Sequence, residues 1–381
     1  MTILFHGARK LDGRGQVDDF WMLVSGDSIV STGSGPQHPE ATEHVNVGGH
    51  WLVPGFIDLH GHGGGGHSFD DGRDEIVAAL ATHRAHGTTR SVISLVANPV
   101  VQLRASLGVI ADLAAADPLV LGSHLEGPFL SVGRRGAHNP EFLIDPLPYE
   151  VEDLLGAARG TLRQLTIAPE LDGALEAIDV LVENGVTVAV GHTEADFALT
   201  RAAFDRGARL LTHVFNAMPG IGHRAPGPVI AAFDDDRVTI ELILDGLHVH
   251  PDVAAMVFSS APGRVALVTD AMAAAGSDDG DYRLGSLNVT VRDGLALLSG
   301  TSTIAGSTLT QDVALRCAIE SAGVPPRDAV AALTATPAHA LGIGHRHGYL
   351  EPGFAADAVL LDYQWRVSDV WGAGRRVSPA A

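Results

Sequence analysis

Val186-Thr187-Val188-Ala189-Val190-Gly191-His192-Thr193 is an apolar, β-branched run that ends on a glycine and an imidazole. Such composition reads as a strand buried on both faces. The stretch after it, 195–206, is amphipathic and long enough for a helix. The same unit recurs in both directions along the chain. Strands are expected near 52–60, 88–96, 120–126, 164–168, 186–191, 209–215, 238–244 and 265–269, with helices over 74–86, 99–115, 171–184, 195–206 and 251–260. Near-continuous apolar strands alternating with helices imply a parallel sheet covered on both sides. Eight repeats imply an α/β fold closed as a (β/α)8 barrel.

Outside this region the pattern changes. Residues 1–50 hold short strand-like pieces at 2–6, 20–25 and 27–31, broken by glycine and aspartate turns, and the tail around Asp357–Asp362 has the same character. The expected organisation is a barrel over 51–343 with a small β-sandwich built from both ends, 1–50 and 344–381. A late hairpin is expected over 282–298, with Asp293-Gly294 as its turn.

Composition narrows the function. A formal charge of −20 argues against nucleic acid or an anionic membrane as partner, because both reward a basic surface. An anionic substrate must then be gripped by local arginine, histidine and amide groups. No segment approaches the roughly 18 apolar residues of a membrane span, and the first residues do not form a signal peptide. The one cysteine, Cys317, excludes an internal disulfide and a thiolate zinc cage, and a cytoplasmic setting is expected. Lys10 is the sole lysine, so no carbamylated lysine can bridge metals in the barrel.

Metal-capable side chains fall at the expected strand ends. His60 and His62 follow the first strand; Glu126 ends the third, His192 the fifth, His213 the sixth and Asp270 the eighth. Active sites of such barrels gather at the rim where the carboxyl ends of the strands converge. A lone barrel-strand histidine is more often a hydrogen-bonded core residue than a ligand. Six imidazole and carboxylate groups from five strands are a different matter, since unpaired buried carboxylates are costly. The set suits zinc or another divalent transition metal. Gly63–Gly66 is not followed by Gly-Lys-Ser/Thr, so a phosphate loop is rejected in favour of a turn beside the metal. His83 and His86 read as surface or packing residues, His345 and His347 as solvated loop, and Cys317 as core.

With these residues in view, the chain resembles the N-acetylglucosamine-6-phosphate deacetylases of the amidohydrolase superfamily. The matching segments are Pro54-Gly55-Phe56-Ile57-Asp58-Leu59-His60-Gly61-His62, His124-Leu125-Glu126-Gly127-Pro128-Phe129, Gly136-Ala137-His138 and Gly191-His192-Thr193. They continue with Thr212-His213-Val214-Phe215-Asn216-Ala217-Met218, Asp245-Gly246-Leu247-His248, Val268-Thr269-Asp270-Ala271-Met272 and Ala305-Gly306-Ser307-Thr308-Leu309-Thr310. The resemblance implies that Glu126, His192 and His213 hold one divalent metal, zinc by donor type, and that His60 and His62 hold a second with Glu126 bridging. It implies Asp270 as general base and acid at the metal, acting on water whose pKa a divalent ion lowers towards about 7. It implies His138 as a partner of the oxyanion. Substrate contacts would come from His138, Asn216, Ala217, His248 and Ser307, and from Arg224 reaching across a homodimer interface. The implied reaction is loss of acetate from a phosphorylated amino sugar, in amino-sugar catabolism or cell-wall recycling. Rival readings are an N-acetylgalactosamine-6-phosphate, N-acyl-amino-acid or cyclic-imide hydrolase, or a non-catalytic scaffold.

Overall fold

The computed structural model describes residues 2–377. Its centre is a sheet of eight parallel strands, in spatial order Phe56–Asp58, Thr88–Val96, Val120–Glu126, Leu162–Ile167, Thr187–Val190, Leu210–Leu211, Thr239–Ile243 and Val265–Val268. The order follows the sequence, as stepwise strand–helix–strand connections require. The two edge strands meet through a parallel bridge between Gly61 and Ala271, and the Thr269 hydroxyl donates to Asp58 at 2.6 Å. The barrel is thereby closed. All nine residues of Thr88–Val96 are buried, as expected of a strand with helices outside and barrel interior within. The helices outside include Arg73–Ala85, Val100–Ala116, Ala174–Glu183, Phe197–Asp205 and Pro251–Ser260.

Two expected strands are corrected. Residues 52–60 are not one strand. Trp51–Pro54 pairs with Thr2–Asp12 and Ala358–Leu361 in the terminal sheet, and only Phe56–Asp58 belongs to the barrel. Gly55 makes the switch: a Cβ there would collide with the Thr89 side chain and come within 2.9 Å of Asp357 Cβ. The expected strand 209–215 shortens to Leu210–Leu211, because His213, Phe215 and Ala217 adopt φ of 24°, 76° and 51°. Such left-handed backbone ends extended pairing.

Both ends of the chain do join in β-structure. Eight strands form one sheet, ordered Arg375–Arg376, Val367–Gly372, Ala358–Leu361, Trp51–Pro54, Thr2–Asp12, Gly15–Ser25 and Ser28–Ser34, with Glu43–Asn46 also on Thr2–Asp12. It has its own apolar core around Phe5, Phe20, Met22, Ile29 and Leu52. A buried ion pair fastens sheet to barrel, with Arg90 Nε and Nη2 donating to Asp357 at 2.8 and 3.1 Å. His347, expected in solvated loop, is largely buried and faces the same carboxylate at 3.4 Å. The late hairpin gains a strand. Gly280–Leu284, Leu287–Arg292 and Leu295–Leu298 form an antiparallel sheet, turning at Asp293-Gly294 with φ of 51° and 75°. Both positive angles are what a tight two-residue hairpin turn demands.

Candidate metal centre

The barrel strands deliver their terminal polar residues to one cup. His60 Nε2 lies 3.2 Å from His62 Nε2, 3.3 Å from Glu126 Oε1 and 3.4 Å from Asp270 Oδ1. His62 Nε2 lies 3.1 Å from Glu126 Oε2 and 3.2 Å from Asp270 Oδ1. Beside this group, His192 Nε2 and His213 Nε2 are 3.0 Å apart and stand 3.1 and 3.0 Å from Glu126 Oε1. All six residues are buried. Two candidate cation sites therefore share the Glu126 carboxylate: His60–His62–Glu126–Asp270 and Glu126–His192–His213.

These separations fit a metal. Donors about 2.0–2.1 Å from a tetrahedral zinc ion stand about 3.3 Å from one another. The ring tautomers fit as well. His192 Nδ1 donates to the Arg134 carbonyl at 2.9 Å, and burial lowers this imidazole to about 4, so its neutral ring turns the Nε2 lone pair into the cup. His60 Nδ1 donates to the Glu241 carboxylate at 3.2 Å, which turns Nε2 into the cup; burial would lower this ring, but Glu126 and Asp270 hold it well above the usual imidazole range, so a cation takes the place of the Nε2 proton. His138 is the opposite case. Its Nδ1 accepts from the Ala97 amide at 3.2 Å, so the neutral ring carries its proton on Nε2, 3.3 Å from Glu126 Oε2. His138 is a donor into the cup rather than a ligand.

The charges are arranged to match. Burial alone would raise Glu126, yet His60 and His192 hold it well below the usual carboxylate range. Burial would also raise Asp270, and the neighbouring His60 and His62 hold it at about 2. Burial would lower His62, but hydrogen bonds to Asp270 and Glu126 carry it up to about 9 in the metal-free protein. Three of the six residues, His192, His213 and Asp270, sit in left-handed backbone with φ of 46°, 24° and 46°. Each such conformation costs about 1–3 kcal/mol, and it persists only where surrounding contacts impose it. Beside His192, a side chain on Gly191 would reach within 2.6 Å of Thr212 Cβ, so glycine lets the strands approach.

A cavity of about 310 Å³ opens above the cup. That is near the lower end for small-molecule sites and suits one sugar-sized ligand. His62, Glu126, His138, His192, His213 and Asp270 form part of its wall. Of the expected substrate residues, Asn216, Ala217 and His248 also line it, and His248 Nδ1 donates to Asp245 at 2.7 Å. Two others are placed elsewhere. The Ser307 hydroxyl is buried, donating to the Thr269 carbonyl at 2.6 Å and accepting from the Leu309 amide at 3.0 Å, so it braces the loop behind Asp270. Arg224 is exposed, outside the lining of this chain's own cavity, with Nη1 2.7 Å from His223 Nε2.

Several lining residues escaped the sequence reading. Arg134 ends the short 3-10 turn Val132–Arg134, and Leu284, Thr303 and Ile304 come from the late sheet and the segment after it. Nothing in local pattern marks these. Glu241 and His124 did leave a signal, as charged or polar residues within apolar strands. His124 is not a ligand, since its two ring nitrogens are hydrogen-bonded to Ser94 and Thr166 at 2.9 Å each. His83, read as a surface or packing residue, is buried and donates to the Gly63 carbonyl at 2.8 Å.

A closed barrel with a shared carboxylate, imidazole donors and an aspartate at its rim defines a class, the metal-dependent barrel hydrolases. The chain belongs to the amidohydrolase family, whose model matches residues 51–377. It is 36% identical to the N-acetylgalactosamine-6-phosphate deacetylase of Escherichia coli O157:H7, covering 99% of this chain and 100% of the relative. It is 33% identical to the N-acetylglucosamine-6-phosphate deacetylase of Vibrio furnissii, over 99% and 95%. Among solved structures, a variant of the Mycobacterium smegmatis N-acetyl-D-glucosamine-6-phosphate deacetylase in complex with N-acetyl-D-glucosamine 6-phosphate superposes with a TM-score of 0.94. That protein is 43% identical, with 99% of this chain and 100% of that chain covered.

Proposed function

We propose that this enzyme hydrolyses the acetamide of N-acetyl-D-glucosamine 6-phosphate, giving D-glucosamine 6-phosphate and acetate. The observation that carries the reading is the cup itself. Glu126, His192 and His213 approach within 3.0–3.1 Å of one another on the wall of a cavity that Asp270 and His138 also face. The cation is proposed to be zinc, one or two per chain, because every donor is an imidazole nitrogen or a carboxylate oxygen. When bound, a divalent cation supplies a water that is acidic near neutral pH and a positive partner for developing negative charge.

The chain's own residues do the rest. Asp270 stays ionised at neutral pH and stands at the rim, so it accepts the proton of the water that attacks the acetyl carbon. It returns that proton to the amine nitrogen as the carbon–nitrogen bond breaks. His138 donates its Nε2–H to the carbonyl oxygen as negative charge builds there. His248 and the Asn216–Ala217 segment are the proposed phosphate contacts within the subunit. Arg224 is proposed to serve the cavity of a partner chain across a homodimer interface, which agrees with its exposure outside its own cavity. No helix among the described residues is long and apolar enough to cross a membrane, and the enzyme is proposed to act in the cytoplasm.

A second reading has an observation behind it. The 36% identity to the N-acetylgalactosamine-6-phosphate deacetylase of Escherichia coli O157:H7 extends over that relative's full length, so the galacto epimer is the rival substrate. The test is acetate release from N-acetylglucosamine 6-phosphate, N-acetylgalactosamine 6-phosphate, unphosphorylated N-acetylglucosamine and an N-acetyl amino acid. The highest kcat/KM is expected for the gluco phosphate; a higher value for any other member reassigns the substrate.

A further inference from the structure

Glu241 lies behind the His60 ring and outside the wall of the cavity. It lies fully buried inside the barrel, on the strand Thr239–Ile243, whose other inner positions are apolar or hydroxyl-bearing. An ionised carboxylate in such a place is costly unless it is paired and fully hydrogen-bonded. Among the described residues, no arginine or lysine pairs with it; its one charged partner is His60. Glu241 Oε1 accepts from Gln164 Nε2 at 2.7 Å. Oε2 accepts from His60 Nδ1 at 3.2 Å and from the His213 main-chain amide at 3.4 Å. One oxygen atom therefore touches a candidate ligand from each of the two cation sites.

We infer that Glu241 is a positioning residue that governs occupancy of the His60–His62 cation site. It acts in two ways. By accepting the Nδ1 proton it fixes the His60 ring with Nε2 facing the cup, the tautomer a cation requires. Its negative charge, beneath a cup that would hold two divalent ions against the charges of Glu126 and Asp270, favours the second ion. A neutral amide oxygen could accept both bonds, so the difference between the sites lies in the charge: Glu241 meets the His60 ring itself at 3.2 Å but only the main-chain amide of His213 at 3.4 Å, and the Glu126–His192–His213 site therefore depends on Glu241 far less. This inference rests on the proposal of two cation sites.

The test is zinc binding to the full-length chain, by titration against a competing chelator, in wild type and Glu241→Gln. Wild type is expected to take two ions. Glu241→Gln is expected to hold the tighter ion with unchanged affinity and the second about 10- to 100-fold more weakly. A merely structural role would not remove one ion selectively. Wild-type affinity for both ions in Glu241→Gln, or equal weakening of both, overturns the inference. A wild-type chain that binds a single ion contradicts the two-site proposal itself and takes the role of Glu241 with it. Glu241→Asp keeps the charge but withdraws it by one methylene. Should Glu241→Gln not fold, this variant carries the test, and unchanged second-ion affinity in it overturns the inference.

Discussion

Replacing His138 with alanine separates donor from ligand among the histidines of the cup. The Ala97 amide holds Nδ1 as an acceptor at 3.2 Å, which places the ring proton on Nε2, and the side chain is only 4% exposed. A donor in so dry a site strengthens as the carbonyl oxygen gains charge, so its contribution lies in the transition state more than in substrate binding. Loss of such a donor raises the barrier by about 3 kcal/mol, or about 100- to 1,000-fold in kcat. KM is expected to change little, and bound cation not at all. Initial rates of acetate release and elemental analysis of zinc on one preparation check all three quantities. Loss of zinc would mean that His138 is a ligand and its tautomer is wrongly assigned. An unaltered kcat would refute the donor role.

Other expectations follow from the same geometry. Asp270→Asn is expected to reduce turnover to near background while zinc stays at Glu126–His192–His213; near-normal turnover would exclude Asp270 as the base. Arg224→Ala is expected to raise KM for the phosphorylated sugar much more than for the plain sugar, and equal effects on both would remove its role. Because His60 is held well above the usual imidazole range and His62 at about 9 in the metal-free protein, a cation must displace a proton from each. Affinity at the His60–His62 site should therefore fall as pH drops below 9, by at least about tenfold per unit, and calorimetry in two buffers should detect proton release. Asp357→Ala leaves Arg90 buried without its partner and is expected to cost about 3–5 kcal/mol, read as a lower unfolding midpoint. Burial pushes Asp357 up, but His347 and Arg90 hold it at about 2, so its contribution should persist at pH 4 and fade as pH falls towards 2.

Much of this molecule was legible in its sequence. A buried parallel strand needs apolar side chains on both faces, so Thr88–Val96 and Val120–Glu126 stood out with their full bounds. A buried carboxylate or imidazole at the end of such a run is conspicuous, which is why the six cup residues could be named. Boundaries set by tertiary contact were hidden. Nothing local distinguishes Trp51–Pro54 from Phe56–Asp58; the break lies at Gly55, where Thr89 and Asp357 press against the backbone. Nor does sequence reveal that the Ser307 hydroxyl turns towards the Thr269 carbonyl rather than into the cavity. Arg134 reaches the wall from the single 3-10 turn Val132–Arg134, too short for a period to show its direction. Glu241 could have been noticed as a lone charge in the apolar run Thr239–Ile243, but its bond to His60 spans 181 residues.

The most direct measurement is made on one preparation: strip the divalent cation with a chelator, follow acetate release from N-acetylglucosamine 6-phosphate, and restore zinc stepwise. Turnover is expected to vanish on stripping and to return in proportion to zinc bound at Glu126, His192 and His213. Full turnover in the stripped protein, or none when the site is refilled, would contradict the account.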